Sequence, residues 1–100
     1  MPKNDQTTTI SDLKKLVQVF RDERDWKQFH TPKNLAQAIS VEANELLEEF
    51  LWKTDQEIDF LLKNSESRCT VANELSDIMA FCFNFLNVTG IDLTQAMQKK

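Results

Sequence analysis

Apolar residues in this chain recur at intervals of three and four, the spacing that lines one face of a helix. Ile10, Leu13, Leu16, Val17 and Phe20 keep that period and predict a first helix over residues 11–25, capped by Ser11 or Thr9. The period breaks at "WKQFH" (26–30), which reads as a connector. Thr31 then offers a side-chain cap and Pro32 suits a first helical position, so a second long helix is expected from about residue 32 to 52. Thr54 with Glu57 three residues later is a capping-box pattern, and it predicts a short helix carrying Phe60, Leu61 and Leu62. "KNSES" (63–67) is a polar break. A third long helix is expected from about 67 to 88, stopped by Gly90, and Asp92 can cap a last short helix, "LTQAMQKK" (93–100).

Three long helices and two short ones predict an all-α, four-helix-bundle-like domain over residues 10–100, behind a flexible polar segment, 1–9. On the third long helix, Val71, Leu75, Ile78, Met79, Cys82, Phe83, Phe85 and Leu86 cover more than half the circumference. A helix apolar on so many sides needs packing partners on several sides. Few are available in a chain of 100 residues, so the fold is expected to be completed by a homodimer or homotetramer.

Composition narrows the function classes. One Gly and two Pro are too few for an all-β domain with many turns. Sixteen acidic against twelve basic residues give a net charge of −4, which speaks against binding a nucleic-acid backbone. The longest apolar run, "IMAFCF" (78–83), is far short of the roughly 20 residues that span a bilayer, so no membrane partner is expected. No secretory signal is visible in "MPKNDQTTT". Cys69 and Cys82 on one helix would stand about 20 Å apart along its axis, too far to bond. They read as reduced core thiols of a cytoplasmic protein.

The acidic residues carry the chemistry. "EANELLEEFLW" (42–52) sets four glutamates among apolar residues. At about 100° per residue, Glu45 and Glu49 fall within about 60° of Glu42, on the arc that also holds Leu35, Ala38, Ile39 and Leu46; Glu48 lies on the flank. On the third long helix Glu74 falls between Phe81 and Phe85, with Asp77 at the edge of that face. Each helix thus carries an acidic pair at i, i+3 on an otherwise packed side. Clustered buried carboxylates must be neutralised by ion pairing, by protonation or by a divalent cation such as Mg²⁺, which takes oxygen ligands. A di-iron site would want Glu-x-x-His pairs, and the single histidine, His30, lies outside both acidic pairs. There is no Cys/His zinc spacing, no Gly-rich phosphate loop and no Ser/His/Asp set.

"EANE", 28 intervening residues and "ELSD" resemble the paired acidic signature of the MazG-like, all-α nucleoside triphosphate pyrophosphohydrolases. The segment "RDWKQFHTPKNLAQAISVEANELLEEFLWK" (24–53) is similar to the dCTP pyrophosphatase branch, and "ELSDIMAF" and "IDLTQA" continue in register. The resemblance covers residues 10–100. It implies that Glu42, Glu45, Glu74 and Asp77 bind Mg²⁺, with Mn²⁺ as a substitute, and that the metal holds the triphosphate. The implied reaction cleaves between the α- and β-phosphates, releasing a nucleoside monophosphate and pyrophosphate, in the service of nucleotide-pool sanitation. The proton acceptor is expected to be Glu45, with Glu42 and Glu48 as alternatives. Trp26, His30 and Trp52 match positions that form the nucleobase pocket; indoles stack on bases and an imidazole can stack or hydrogen-bond. Asn34 and Lys53 also match the family pattern. Phe81 replaces an expected tyrosine, and Val17 stands where a histidine can occur. Relatives carry a basic tail that helps hold phosphates, and here Lys99 and Lys100 are the residues at that point. A non-catalytic helical dimerisation or nucleotide-binding regulatory module is the alternative that the same features allow.

Overall fold

The computed structural model describes residues 3–100. Among them are five α-helices and one 3₁₀ turn, and no strand: α1 (Ile10–Glu23), the turn (Lys27–Phe29), α2 (Pro32–Glu48), α3 (Asp55–Lys63), α4 (Ser65–Thr89) and α5 (Leu93–Gln98). The all-α expectation holds. Residues 1 and 2 of the expected flexible segment lie outside the described residues; residues 4–7 form a turn closed by Thr7 N–H donating to the Asn4 carbonyl at 3.0 Å.

Local chemistry sets most of the helix ends. Thr9, not Ser11, caps α1, in a reciprocal box with Asp12. Thr31 accepts from the Asn34 N–H, with Pro32 in the first turn of α2. Thr54 and Glu57 form the expected box on α3. The polar break before the third long helix shrinks to one residue: Asn64 ends α3 and its Oδ1 accepts from the N–H groups of Glu66 and Ser67, so α4 starts at Ser65 rather than near 67. Gly90 ends α4 in the left-handed region, φ 73°, and Asp92 caps α5.

α2 is shorter than expected. It ends at Glu48, and the backbone tightens beyond it: Glu49 N–H donates to Leu46 and Phe50 N–H to Leu47, i→i−3 bonds of the 3₁₀ kind. The chain then passes through Trp52 at φ 67°. The apolar spacing of "EFLW" continues the helical period across this unwinding, which is why the pattern did not reveal it. A left-handed tryptophan costs about 1–2 kcal/mol relative to a right-handed one.

α4 is the spine, packed most extensively on α2 and also on α1 and α3. Asn87 Nδ2 donates to the Lys14 carbonyl at 3.0 Å and ties α4 to α1. The core is thin: the buried apolar residues are Leu35, Phe83 and Leu86. The radius of gyration, 15.6 Å, exceeds the about 13 Å of a typical 100-residue domain. Leu16, Phe29, Leu47, Phe60 and Met97 are exposed. Both cysteines are free; Cys82 is half-buried, but Cys69 is exposed, which corrects its expected place in the core. It sits in the second turn of α4, near the helix start.

Nothing lies within 4 Å of where a Cβ on Gly90 would stand, so its conformation is purely a backbone requirement. Gly90→Ala is expected to lower unfolding free energy by about 1 kcal/mol, read as a reduced urea midpoint at unchanged m-value.

Candidate active site

The crossing of α2 over α4 brings the two acidic pairs together. One carboxylate oxygen each from Glu42, Glu45 and Glu74 lies within 4.8 Å of the others. Glu42 and Glu74 are half-buried and Glu45 is exposed. The Oε2 atoms of both Glu42 and Glu74 are buried and have no hydrogen-bond partner. Among the described residues the one ion pair is Arg21–Asp22, so no lysine or arginine neutralises the cluster. Ion pairing, one of the three ways to stabilise such a face, is therefore not used among the described residues.

The remaining ways are protonation and a cation, and the electrostatics express that choice. Burial pushes the Glu42 carboxyl above its ordinary pKa, followed by hydrogen bonding and repulsion from Glu45 and by the charges of Asp77 and Glu74. Burial likewise raises Glu74, followed by the charges of Glu45 and Asp77, hydrogen bonding to Glu45 and the charge of Glu49. Hard oxygen donors, close together, part-buried and without a basic partner among the described residues, fit a divalent cation such as Mg²⁺. Asp77, the fourth expected ligand, is exposed and does not join the three converging oxygens; it faces a neighbouring cavity. Glu49 is half-buried and close enough to act on Glu74, while Glu48 is exposed.

That cavity, about 500 Å³, lies between α1, the connector and α4. Leu16, Val17 and Phe20 line it from α1, Trp26 and His30 from the connector, and Asp77, Ala80 and Phe81 from α4. The connector is shaped to supply its two residues. Asp25 takes a left-handed conformation, φ 56°, and turns the chain out of α1, after which Trp26 N–H donates to the Arg21 carbonyl at 3.1 Å. Asn34 Nδ2 donates to the Phe29 carbonyl at 3.1 Å and holds the connector against α2, so that amide has a structural task. The Trp26 ring meets Phe20 edge-on, centroids 5.8 Å apart. His30 lies 6.3 Å from the Phe81 ring, and its buried Nδ1 has no partner. Burial, then the charge of Arg21, lowers the His30 pKa, so the imidazole is neutral at pH 7.

The expected base-contacting residues are thus divided. Trp26 and His30 share one cavity wall, while Trp52 is 93% exposed and does not line that cavity. Lys53 lines a separate shallow depression with Gln56 and Phe60. Two buried polar residues that helical periodicity does not assign to a site also line the cavity, Arg21 and Asn84. Asn84 left a trace in the sequence, as a polar residue inside "FCFNFL" (81–86). Arg21 left none, since it opens a run of charges.

The raised carboxyls make the metal-free protein pH-dependent in a defined sense. A carboxyl whose pKa is higher folded than unfolded contributes stability at low pH, and that contribution is lost as pH rises through the folded value. Relative to wild type, Glu42→Gln is therefore expected to raise the melting temperature of metal-free protein at pH 7 and to lose that advantage toward pH 4. Mg²⁺ should raise the wild-type melting temperature at pH 7 and raise the variant's less. Calorimetric melts at both pH values, with and without Mg²⁺, measure all four quantities.

A model of the MazG-like family matches residues 37–100, which include both acidic pairs. dCTP pyrophosphatase 1 of Bos taurus is 38% identical over 89 residues, 89% of this chain and 53% of that protein. The Homo sapiens protein of the same name is 37% identical over 92 residues, 92% of this chain and 54% of its own length. The chain spans about half the length of these curated relatives. A crystal structure of a pyrophosphatase from Archaeoglobus fulgidus superposes with a TM-score of 0.78 at 31% identity, covering 99% of this chain and 88% of that one. No helix among the described residues is long and apolar enough to cross a membrane. With the family match holding the acidic face of α2 and all of α4, and the fold shared along nearly the whole chain, the protein belongs to the MazG-like family.

Proposed function

We propose that this protein is a Mg²⁺-dependent nucleoside triphosphate pyrophosphohydrolase. It acts in the cytoplasm on a deoxynucleoside triphosphate, dCTP or a modified relative, and yields the monophosphate and pyrophosphate. The observation that carries the reading is the convergence of the Glu42, Glu45 and Glu74 carboxylates beside an apolar cavity that shares Asp77 with them. The relatives named dCTP pyrophosphatase 1 and the neighbour titled a pyrophosphatase support the same reaction class.

Glu42, Glu45 and Glu74 would hold the metal, and Asp77 would complete the set by turning toward them from the cavity edge. A bound divalent cation would neutralise charge on the triphosphate and lower the pKa of a coordinated water. Glu45, the exposed member of the three convergent glutamates, is open to solvent and so is suited to accept the proton of the attacking water. Water adds across the α–β anhydride: its oxygen stays with one product, its proton goes to Glu45, and the bridging oxygen leaves with the other product. Trp26 and neutral His30 receive the base, by stacking and by hydrogen bonding. A homodimer or homotetramer would cover exposed apolar residues such as Leu47, Trp52 and Phe60, and would bring Trp52 to a substrate from a position outside its own chain's cavity.

Pyrophosphate release, followed with Mg²⁺ across canonical and modified triphosphates, tests the reading. A dCTP-type substrate is expected to lead, and Glu42→Gln and Asp77→Asn are expected to cut turnover by more than about 100-fold, the scale of lost electrostatic stabilisation, with helicity unchanged by circular dichroism. Folded protein inactive on the whole panel would leave the non-catalytic helical module as the better reading.

A further inference from the structure

The wall of the cavity changes character along both long helices that form it. On α1, Val17 is apolar and Arg21, four residues on, is a cation. On α4, Phe81 is apolar and Asn84, three residues on, is an amide. These spacings keep each pair on one helix face. The Asn87–Lys14 hydrogen bond and the shared cavity lining set α1 and α4 antiparallel, so Arg21 and Asn84 stand at opposite ends of the cavity's aromatic and aliphatic middle, one polar group from each helix.

These two polar groups are unusual for their burial. Arg21 is 3% exposed and Asn84 5%. Side chains of these types are seldom so buried unless their polar atoms are satisfied, because desolvation is costly. Here they are satisfied in part. Arg21 directs Nε and Nη2 to one atom, Asp22 Oδ1, each at 3.0 Å, and that carboxylate belongs to a half-exposed sequence neighbour. Its Nη1 donates to no described residue. Asn84 Oδ1 is buried and accepts no hydrogen bond. The two side chains do not bond each other. The cavity thus offers a charged donor and a buried acceptor beside the aromatic surfaces of Trp26 and Phe81. A planar ligand that carries an acceptor and an N–H at separate points of its rim complements this set, and nucleobases have that form.

We infer that Arg21 and Asn84 are specificity-determining residues: Arg21 donates to a ring nitrogen or carbonyl oxygen of the base, and Asn84 Oδ1 accepts from its amino or ring N–H group. The inference rests on reading the cavity as the base subsite of the proposed enzyme. A site whose buried polar groups pair with one base rejects bases that leave those groups unpaired, whereas an apolar pocket discriminates weakly.

The test compares wild type with Asn84→Leu, Arg21→Met and Arg21→Lys. kcat/KM is measured for dATP, dCTP, dGTP and dTTP, and binding of the four deoxynucleosides is measured by titration calorimetry. The ratio of best to worst substrate is expected to fall at least about tenfold in Asn84→Leu and Arg21→Met, the cost of about one unpaired hydrogen-bonding group. Arg21→Lys should keep part of the ratio, since it retains charge but not the planar fork. Asn84→Leu removes an acceptor that lacks a partner, so its melting temperature should equal or exceed wild type, and it carries the test should Arg21→Met fail to fold. An equal drop on all four substrates, an unchanged ratio, or a destabilised Asn84→Leu with its selectivity intact would overturn the inference. Wild type inactive on every triphosphate would overturn the enzymatic reading alone; nucleoside binding then decides, with selective binding lost in the variants supporting the inference and no selective binding overturning it.

Discussion

Where α2 crosses α4, carboxylates from both helices share a part-buried volume, and no basic side chain among the described residues stands against them. Their mutual repulsion is relieved only in part, by the exposure of Glu45 and the turn of Asp77 to the cavity, because the i, i+3 spacing holds each pair on one face of a helix whose packing is decided elsewhere. Leu35 on α2 and Phe83 and Leu86 on α4 are the fully buried apolar residues among those described. The same helices that carry this thin core therefore carry an electrostatic load. Protonation or a cation must offset that load, and the raised pKa values of Glu42 and Glu74 are its direct expression.

Asp77 joins this acidic centre to the cavity. Its charge acts on Glu42 and Glu74, and its side chain lines the space that also holds Trp26, His30 and Phe81. An elongated anion with an aromatic head would find compensation for its charge at one end and a stacking surface at the other. The connector makes this arrangement possible. The left-handed Asp25 and the Asn34–Phe29 hydrogen bond fold a short polar stretch back over the cavity, so Trp26 and His30 are placed by backbone geometry rather than by a helix of their own.

The rest of the apolar inventory is not consumed inside one chain. Leu16, Phe29, Leu47 and Phe60 remain exposed, and Trp52 is both exposed and held in a left-handed conformation that disfavours large side chains. Such strain persists only where something else selects the residue. The early end of α2 is what turns Trp52 out of the helical register, and it separates this indole from the Trp26 and His30 wall.

Much of this was legible in the residues themselves, because it depends on local physics. Caps at Thr9, Thr31, Thr54 and Asp92, the stop at Gly90 and the shared face of Glu42 and Glu45 all follow from side chains within a turn of one another. What the sequence alone could not determine depends on contacts between distant segments. The period of "EFLW" concealed the unwinding at Glu49, since apolar spacing does not record backbone tightening. The crossing of α2 and α4 decided that Glu42, Glu45 and Glu74 converge while Asp77 turns to the cavity. The approach of α1 to α4 decided that Arg21, one charge in a charged run, and Asn84, one amide in an apolar run, face the same enclosed space. Helical periodicity assigns a residue to a face, but only packing determines which other face it meets and whether water remains between them.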